Sequence, residues 1–359
     1  MQAVLALEDG TLYYGRAFGA GGENWGEVVF NTGMTGYEGV LTDPSYCGQI
    51  VVMTYPLVGN YGINSEDFES RGSFVRGFVV REVCDRPSNW KAAGTLAEFL
   101  ANEGVIGLAG VDTRALTRRL RTKGTMRGII STKTSDPETL IEKARSCPDF
   151  SAQDFIPTVA TKEIVRYDGG DPVVALIDLG AKQNIIRRLQ RRGCTVVVFP
   201  PDSLPADILA LDPAGVVISN GPGDPVRAVS AIAAVRELAG KKPLFGICLG
   251  HQVLALALGA RTYKLKFGHR GSNHPVKDLA TGKVYISSHN HGFSVAEESL
   301  GPTGLVVTHR NLNDGTVEGF RHRELPVMAV QYHPEAGPGP HDSEYLFDEF
   351  LELIGREGN

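Results

Sequence analysis

The second half of the chain alternates between short apolar runs and amphipathic stretches. The run VVALIDL at 173–179 is continuously apolar, which is typical of a strand buried on both faces of a sheet. In the stretch that follows, Ile185, Ile186 and Leu189 recur at helical spacing among basic residues, which predicts an amphipathic helix. Further strands are predicted at 194–199, 215–219 and 243–247, and further helices at 226–240 and 249–259. This alternation predicts an α/β fold in which an open, mostly parallel sheet carries helices on both faces.

The first 150 residues follow a different pattern. Short β-like runs such as VLALE and EVVFNT are separated by glycine-rich turns. Helices are predicted among them at 95–104 and 114–124. This combination predicts a mixed α+β domain over residues 1–150.

A change of pattern also marks the domain boundary. Residues 151–171 are polar and irregular, which predicts a linker. The α/β domain is therefore expected over 172–359. Its later part changes to strand-like runs after about residue 261, and a final helix is predicted over 341–355. A length of 359 residues is ample for two domains.

Composition and charge exclude several classes of partner. The chain is 42% hydrophobic and 21% charged, as in ordinary globular proteins. Its net charge of −5 is spread without long runs of one sign, which argues against nucleic acid or an anionic membrane as partner. No apolar run approaches the roughly 18 residues that a membrane span needs. The N-terminus lacks the basic region of a signal peptide, so we expect a cytoplasmic protein.

The cysteines and histidines restrict the metal and redox chemistry. Five cysteines are an odd number and form no CxxC pair, so neither a disulfide framework nor a cysteine-based zinc site is expected. All nine histidines follow residue 250, so any catalytic imidazole must come from the C-terminal part. His289 and His291 form an HxH pair, but no third ligand is evident beside them. We therefore expect no metal site.

The stretch PLFGICLGHQ places a cysteine at a tight corner between a predicted strand and a predicted helix. Cys248 lies between Gly246 and Gly250, which is the layout of a nucleophile elbow. A small buried hydrophobe is the alternative, and the motif alone does not decide between them. The helix N-terminus favours a thiolate, and the N–H of Leu249 would form half of an oxyanion hole.

The turn SNGPGDP follows the preceding predicted strand. Gly221 and Gly223 allow main-chain N–H groups to approach a substrate without an intervening side chain. A plain loop is the alternative for such a glycine-rich turn. If the two strands are neighbours, this turn supplies the other half of the oxyanion hole.

A histidine and a glutamate close the apolar run VMAVQY. Pro334 favours an extended conformation at His333, and Glu335 follows two residues later on the same side of the chain. A carboxylate beside the imidazole fixes its tautomer and raises its basicity. His333 is therefore the candidate base for Cys248, with Glu335 as its orienting partner.

These three motifs together resemble those of class I (triad) glutamine amidotransferases. GICLGHQ resembles the nucleophile motif, NGPGDP the oxyanion loop and YHPE the histidine–glutamate pair, and the resemblance covers about 171–359. It implies that Cys248 attacks the side-chain amide of L-glutamine, that His333 transfers protons and that Glu335 orients His333. The resemblance also implies glutamine-binding positions at Gly221, Gly223, Leu249, Gln252, Asn290, Gly292 and Phe293.

The N-terminal segment VVFNTGMTGYEGVLTDPSYCGQIVVMTYPLVGNYGI at 28–63 resembles the signature of carbamoyl phosphate synthetase small subunits. Ser45 matches a position that contacts glutamine in that family, although the residues alone favour a turn after Asp-Pro. One departure is His289, where many relatives have glutamine.

The same resemblance implies a partner and a pathway. Ammonia would pass to a large subunit, in a heterodimer or a higher oligomer, for carbamoyl phosphate synthesis in pyrimidine and arginine biosynthesis. ATP, magnesium and bicarbonate would be used there, because this chain has no P-loop motif and needs no cofactor of its own.

Three alternatives stay open from the residues alone. The basic stretch Arg114–Arg127 is either an interface to the partner or a solvated helix face. A free-standing cysteine hydrolase and a non-enzymatic subunit with an inactive site are the competing functions. The N-terminal signature argues against the first function, and the presence of Cys248, His333 and Glu335 argues against the second.

Overall fold

A computed structural model describes residues 1–134 and 136–357. The chain divides into two compact units, of which the first is Met1–Gln153 and the second begins at Asp154. No helix among the described residues is long and apolar enough to cross a membrane.

The described part of the first unit is built from nine strands and four helices. The strands are β1 (Gln2–Leu7), β2 (Leu12–Gly19), β3 (Glu23–Asn31), β4 (Gln49–Met53), β5 (Leu57–Val58), β6 (Gly77–Val79), β7 (Glu82–Val83), β8 (Ile106–Ala109) and β9 (Met126–Ser131). The helices are α1 (Tyr37–Thr42), α2 (Leu96–Asn102), α3 (Thr113–Lys123) and α4 (Pro137–Ser146).

Seven of these strands close into a barrel, in the order β1-β2-β8-β6-β4-β3-β9. The barrel closes where β1 pairs antiparallel with β9, with Leu5 opposite Ile130. The alternation of short strands and helices predicted a mixed α+β domain, but closure depends on this pairing between the two ends of the unit. A local pattern does not encode such a contact, so the barrel is a finding of the structure.

Helix α3 contains most of the basic stretch Arg114–Arg127. Asp112 caps it by accepting a hydrogen bond from the N–H of Ala115. Leu116 and Leu120 are buried on one face, while most of its arginines are exposed. The helix is therefore amphipathic, and an interface role for its basic face stays a prediction.

The described part of the second unit is built around one large sheet. Its strands are β10 (Val165–Tyr167), β11 (Gly170–Ile177), β12 (Cys194–Phe199), β13 (Gly215–Ile218), β14 (Leu244–Ile247), β15 (Thr262–Asp278), β16 (Val284–Val295), β17 (Leu305–Asn311), β18 (Val317–His322) and β19 (Val327–Val330). The helices are α5 (Ile156–Val159), α6 (Gln183–Arg191), α7 (Pro205–Ala210), α8 (Val229–Leu238), α9 (Leu249–Ala257) and α10 (Tyr345–Glu357).

The sheet is mixed rather than mostly parallel. Its order is β10-β12-β11-β13-β14-β19-β18-β17-β15-β16, and only the block from β12 to β19 is parallel. The pairs β19-β18, β18-β17, β17-β15 and β15-β16 are antiparallel, as is the edge pair β10-β12. After α9 no long helix separates successive strands, so the chain lacks the crossover that parallel pairing needs.

The parallel block is buried on both faces. Ala175 and Ile177 belong to one apolar cluster, and Val174 and Leu176 belong to the other. This alternation explains why the run at 173–179 is continuously apolar.

The segment 151–171, expected to be an irregular linker, contains regular structure. Helix α5 lies within it, and β10 pairs with β12, with Arg166 opposite Val197. A three-residue edge strand with an exposed arginine shows no apolar alternation, which is why the pattern did not reveal it.

Candidate active site

Cys248 lies at the turn between β14 and α9. Its backbone has φ 55° and ψ −102°, a region that residues with a side chain rarely adopt. A Cβ at Gly250 would lie 2.1 Å from the carbonyl oxygen of Ile218, and one at Gly246 would lie 2.6 Å from that of Gly250. Both glycines are therefore required by close backbone contacts, and the turn has the geometry of a nucleophile elbow.

The loop after β13 leaves the sheet beside this elbow. β13 and β14 are neighbouring parallel strands, with Ile218 opposite Gly246, so their carboxyl ends lie at the same edge. A Cβ at Gly221 would lie 2.8 Å from Cδ2 of Leu249 and 2.2 Å from the carbonyl oxygen of Leu179. Gly223 has φ 94°, which favours glycine. The structure thus brings this glycine loop to the N-terminus of α9.

His333 and Glu335 follow the end of β19, the parallel neighbour of β14. The N–H of His333 donates to the carbonyl oxygen of Ser288 at 2.9 Å, which attaches this segment to β16. Nδ1 of His333 lies 2.6 Å from Oε1 of Glu335, and both side chains are buried. Nε2 has no hydrogen-bond partner among the residues that the structure describes, so it is available for proton transfer.

Electrostatics favour the charged forms of this pair. Burial disfavours the imidazolium, but Glu335 and Cys248 outweigh it and raise the pKa of His333 to about 10. Burial also acts to raise the pKa of Glu335, but Lys182 and His333 lower it to about 2. Glu335 is therefore a carboxylate that stabilises a protonated His333.

Lys182 is a member of the site that the sequence did not reveal. It immediately precedes α6, its side chain is buried, and its Nζ lies 3.0 Å from Oε1 of Glu335. Nζ also donates a hydrogen bond to the carbonyl oxygen of Ala336. Lys182 is one of several basic residues near the start of an amphipathic helix, where solvent exposure is the usual prediction. Nothing in the local sequence indicates that this one is buried.

Two glutamine side chains support the sulfur of Cys248. Nε2 of Gln331 lies 3.8 Å from Sγ, and Oε1 of Gln331 accepts a hydrogen bond of 2.9 Å from Gln252. Nε2 of Gln252 also donates to the carbonyl oxygen of Phe293 at 2.8 Å. The structure thus gives Gln252 partners within the protein. Gln331 was missed because it lies inside an apolar strand run.

The main chain of Asn290, one of the predicted glutamine-binding residues of β16, lies next to Cys248. Sγ of Cys248 lies 3.6 Å from the carbonyl oxygen of Asn290. Asn290 and Gly292 are two residues apart in a strand, so they share one face of the sheet. Phe293 is buried, and its carbonyl oxygen accepts the hydrogen bond from Gln252. Their contact with substrate stays a prediction.

Ser45 lies in the first unit. It belongs to a short buried turn at Pro44–Tyr46, where its N–H donates to Oδ1 of Asp43 at 2.9 Å. This is the turn that Asp-Pro favours. Its glutamine contact also stays a prediction.

Comparisons with known proteins match both parts of the chain. Residues 5–130 match the family described as carbamoyl-phosphate synthase small chain, CPSase domain, and residues 175–353 match glutamine amidotransferase class-I. The carbamoyl phosphate synthase small chain of Aquifex aeolicus is 53% identical over 365 residues, covering 98% of each chain. The chain belongs to the carbamoyl phosphate synthase small-chain family.

A second member of this family is similarly close, whereas the likeness to a solved structure is weaker. The carbamoyl phosphate synthase small chain of Symbiobacterium thermophilum is 55% identical over 359 residues, which is 98% of each chain. A solved glutamine amidotransferase from Thermotoga maritima is 16% identical, covers 52% of this chain and 86% of its own, and has a TM-score of 0.39. The small-chain relatives span the whole chain, so both units belong to the family's common architecture.

Proposed function

We propose that this chain hydrolyses L-glutamine at Cys248 and delivers the ammonia to a carbamoyl phosphate synthase large subunit. The observation that carries the proposal is the elbow at Cys248 together with the 2.6 Å pair of His333 and Glu335, in a chain of this family. The same elements would suit a glutaminase because a thiolate, a proton carrier and an oxyanion site are the three requirements of amide cleavage.

The first half of the reaction forms a thioester. His333 accepts the proton of Cys248, and Sγ attacks the side-chain amide carbon of glutamine. The N–H groups of Leu249 and of the Gly221–Gly223 turn would hold the resulting oxyanion. His333 then protonates the amide nitrogen, the C–N bond breaks and ammonia leaves.

The second half releases glutamate. His333 removes a proton from water, the hydroxide attacks the thioester carbon, and the C–S bond breaks to restore Cys248. Glu335 keeps His333 oriented through both halves, and Lys182 keeps Glu335 ionised. Asn290, Gly292, Phe293 and Gln252 would form or support the glutamine pocket.

The partner explains the purpose of the ammonia. Free ammonia is largely protonated near neutral pH and then has no lone pair for attack, so its delivery requires a subunit that receives it directly. We propose a heterodimer or higher oligomer in which the large subunit uses ATP, magnesium and bicarbonate and this chain needs no cofactor for its chemistry. All five cysteines are free, as is typical of the reducing cytoplasm.

A cysteine substitution in the assembled enzyme tests the proposal. We expect Cys248→Ala to abolish carbamoyl phosphate synthesis from glutamine and to leave synthesis from added ammonia unchanged, because only the ammonia source is lost. Cys194→Ala, at a buried cysteine of β12, is the matched control and should retain both activities. Glutamine-dependent synthesis that persists in Cys248→Ala would refute the assignment.

A further inference from the structure

A second cluster of buried side chains lies in the antiparallel part of the sheet. His269 of β15, His289 and His291 of β16, and Glu318 of β18 each offer one ligand atom, and these atoms lie within 4.8 Å of one another. All four side chains are buried. The mechanism above uses none of them, although the HxH pair was visible in the sequence.

The hydrogen bonds around two of these rings fix which nitrogen carries the proton. Nδ1 of His291 lies 2.8 Å from the carbonyl oxygen of Phe293, which can only accept, so Nδ1 is protonated. Nε2 of His269 lies 2.9 Å from a carboxylate oxygen of Asp314, which also accepts. In their neutral forms, His291 therefore has its lone pair on Nε2, and His269 has its lone pair on Nδ1.

The third ring is fixed in the same way. Ser287 Oγ donates its proton to the carbonyl oxygen of His274 at 3.0 Å, so it accepts from Nε2 of His289 at 2.8 Å. The lone pair of His289 is then on Nδ1, which lies 3.3 Å from Nε2 of His291. Two nitrogen lone pairs at this distance repel each other unless a cation lies between them.

The carboxylate of Glu318 lies beside the unprotonated nitrogens of these rings. Its Oε1 lies 3.5 Å from Nδ1 of His269 and 3.7 Å from Nδ1 of His289. Asn311 holds Oε1 with a hydrogen bond of 2.8 Å, and Oε2 has no partner within the described part of the chain. A fully buried carboxylate needs a compensating positive charge, which either a protonated His269 or a cation held among the four side chains would supply.

We propose that His269, His289, His291 and Glu318 form a zinc site. Zinc bonds of about 2.0–2.1 Å in a tetrahedron place neighbouring ligand atoms roughly 3.3 Å apart. Three of the six separations between ligand atoms are 3.3, 3.5 and 3.7 Å, and all six are within 4.8 Å, so the side chains would draw together around the ion to reach that geometry. Three imidazoles and a carboxylate are a ligand set that suits zinc.

The surrounding hydrogen bonds strengthen this assignment. Ligand histidines in metal sites typically donate their other N–H to a carboxylate, a carbonyl or a comparable acceptor. Asp314, Ser287 and Phe293 supply one such acceptor for each ring. With four protein ligands and no open position, the site is structural rather than catalytic.

The zinc site would fix β16 against β15 and β18. The two histidines of β16 belong to the cluster, and Asn290 lies between them with its side chain on the opposite face of the strand. Its main-chain carbonyl oxygen lies 3.6 Å from Sγ of Cys248. The ion is therefore a positioning element for the predicted glutamine-binding strand. This inference goes beyond the glutaminase proposal and does not depend on it.

Metal content and binding test the site directly. The untagged full-length chain is prepared as Cys248→Ala, so that no thiolate of the elbow competes for metal. Elemental analysis should find about one zinc per chain, and titration of the chelator-stripped chain with zinc chloride should show one saturable site. Cobalt should bind there with the intense visible bands of tetrahedral coordination, a signal that a solvent-exposed histidine does not give.

Two further substitutions in that background locate the ion. Loss of an outer partner alone weakens metal binding about 10–100-fold, so loss of a ligand in His289→Gln should weaken zinc binding by at least about 100-fold. His309→Gln removes a buried imidazole of β17 that bonds Thr308 and Tyr345 instead, and it should retain the affinity.

Thermal unfolding shows whether a variant has lost its metal ion or has failed to fold. A chelator should lower the Tm of the His309→Gln chain and leave that of His289→Gln unchanged, because only the former has an ion to lose. Absence of saturable zinc binding would overturn the proposal, since a proton shared by His269 and Glu318 would then fill the cluster. Unchanged affinity in His289→Gln would overturn it equally.

Discussion

The buried ion pair between Lys182 and Glu335 allows a quantitative prediction. Nζ and Oε1 are 3.0 Å apart, and the side chains are 2% and 0% exposed. At an effective dielectric constant of about 20, two unit charges 3.0 Å apart attract by about 5.5 kcal/mol. Lys182→Met leaves the carboxylate buried without this partner, which typically costs about 3–5 kcal/mol. We expect a loss of stability in that range.

The assay must report on the second unit alone. Both tryptophans, Trp25 and Trp90, lie in the first unit, so their fluorescence would follow the wrong part of the chain. Native-state hydrogen exchange of the amides in β14 and α9 measures the opening free energy of the elbow region itself. In these segments the free energy should fall by about 3–5 kcal/mol in Lys182→Met.

Lys241→Met is the matched control. Lys241 pairs with Glu237 at 3.2 Å, but both side chains are about half exposed, and such pairs contribute roughly 0–1 kcal/mol. If the two variants changed the exchange free energy of β14 and α9 equally, the buried pair would contribute no more than a solvent-exposed one. That result would refute the argument from burial.

Two other predictions concern the elbow and the pair of His333 and Glu335. Gly250→Ala places a Cβ 2.1 Å from the carbonyl oxygen of Ile218 and should destabilise the second unit by at least about 1–3 kcal/mol. Gly355→Ala has open space around its Cβ and should not destabilise this unit. Hydrogen exchange of the α9 amides compares the two variants. The pKa of His333 is raised from 6.5 to about 10. Protonation of His333 therefore contributes fully to the free energy of unfolding below pH 6.5, and this contribution is lost as the pH rises towards 10. The urea concentration at the unfolding midpoint should fall as the pH rises over that window in the wild type, and it should fall less in Glu335→Gln. An equal fall in the two proteins would contradict the role of Glu335.

The candidate site was predictable where its residues are local in sequence. The elbow depends on Gly246 and Gly250, both within two residues of Cys248, and the pair His333 and Glu335 is similarly compact. Each motif also follows an apolar strand run, so the sequence places all of them at strand ends. Local pattern was sufficient here because the residues of each motif lie within a few positions of one another.

The parts that depend on distant contacts were not predictable. Lys182 forms a buried salt bridge with Glu335, which lies 153 residues later in the sequence, and no local pattern predicts this contact. The barrel closure by β1 and β9 and the antiparallel strands after α9 likewise depend on pairing between remote segments. Physical reading of the sequence thus identified the elements and motifs, and tertiary packing decided how they join.

The alternation along β16 has an evolutionary consequence. His289 and His291 face one side of the sheet, and Asn290 and Gly292 face the other. Inserting or deleting one residue between the start of this strand and His289 would exchange the two sets between the faces of the sheet. If one face holds the proposed zinc ion and the other contributes to the proposed glutamine site, a change of length would disrupt both, whereas a substitution would affect only one. On these two proposals, we expect variation in length to be confined to the loops that flank the strand.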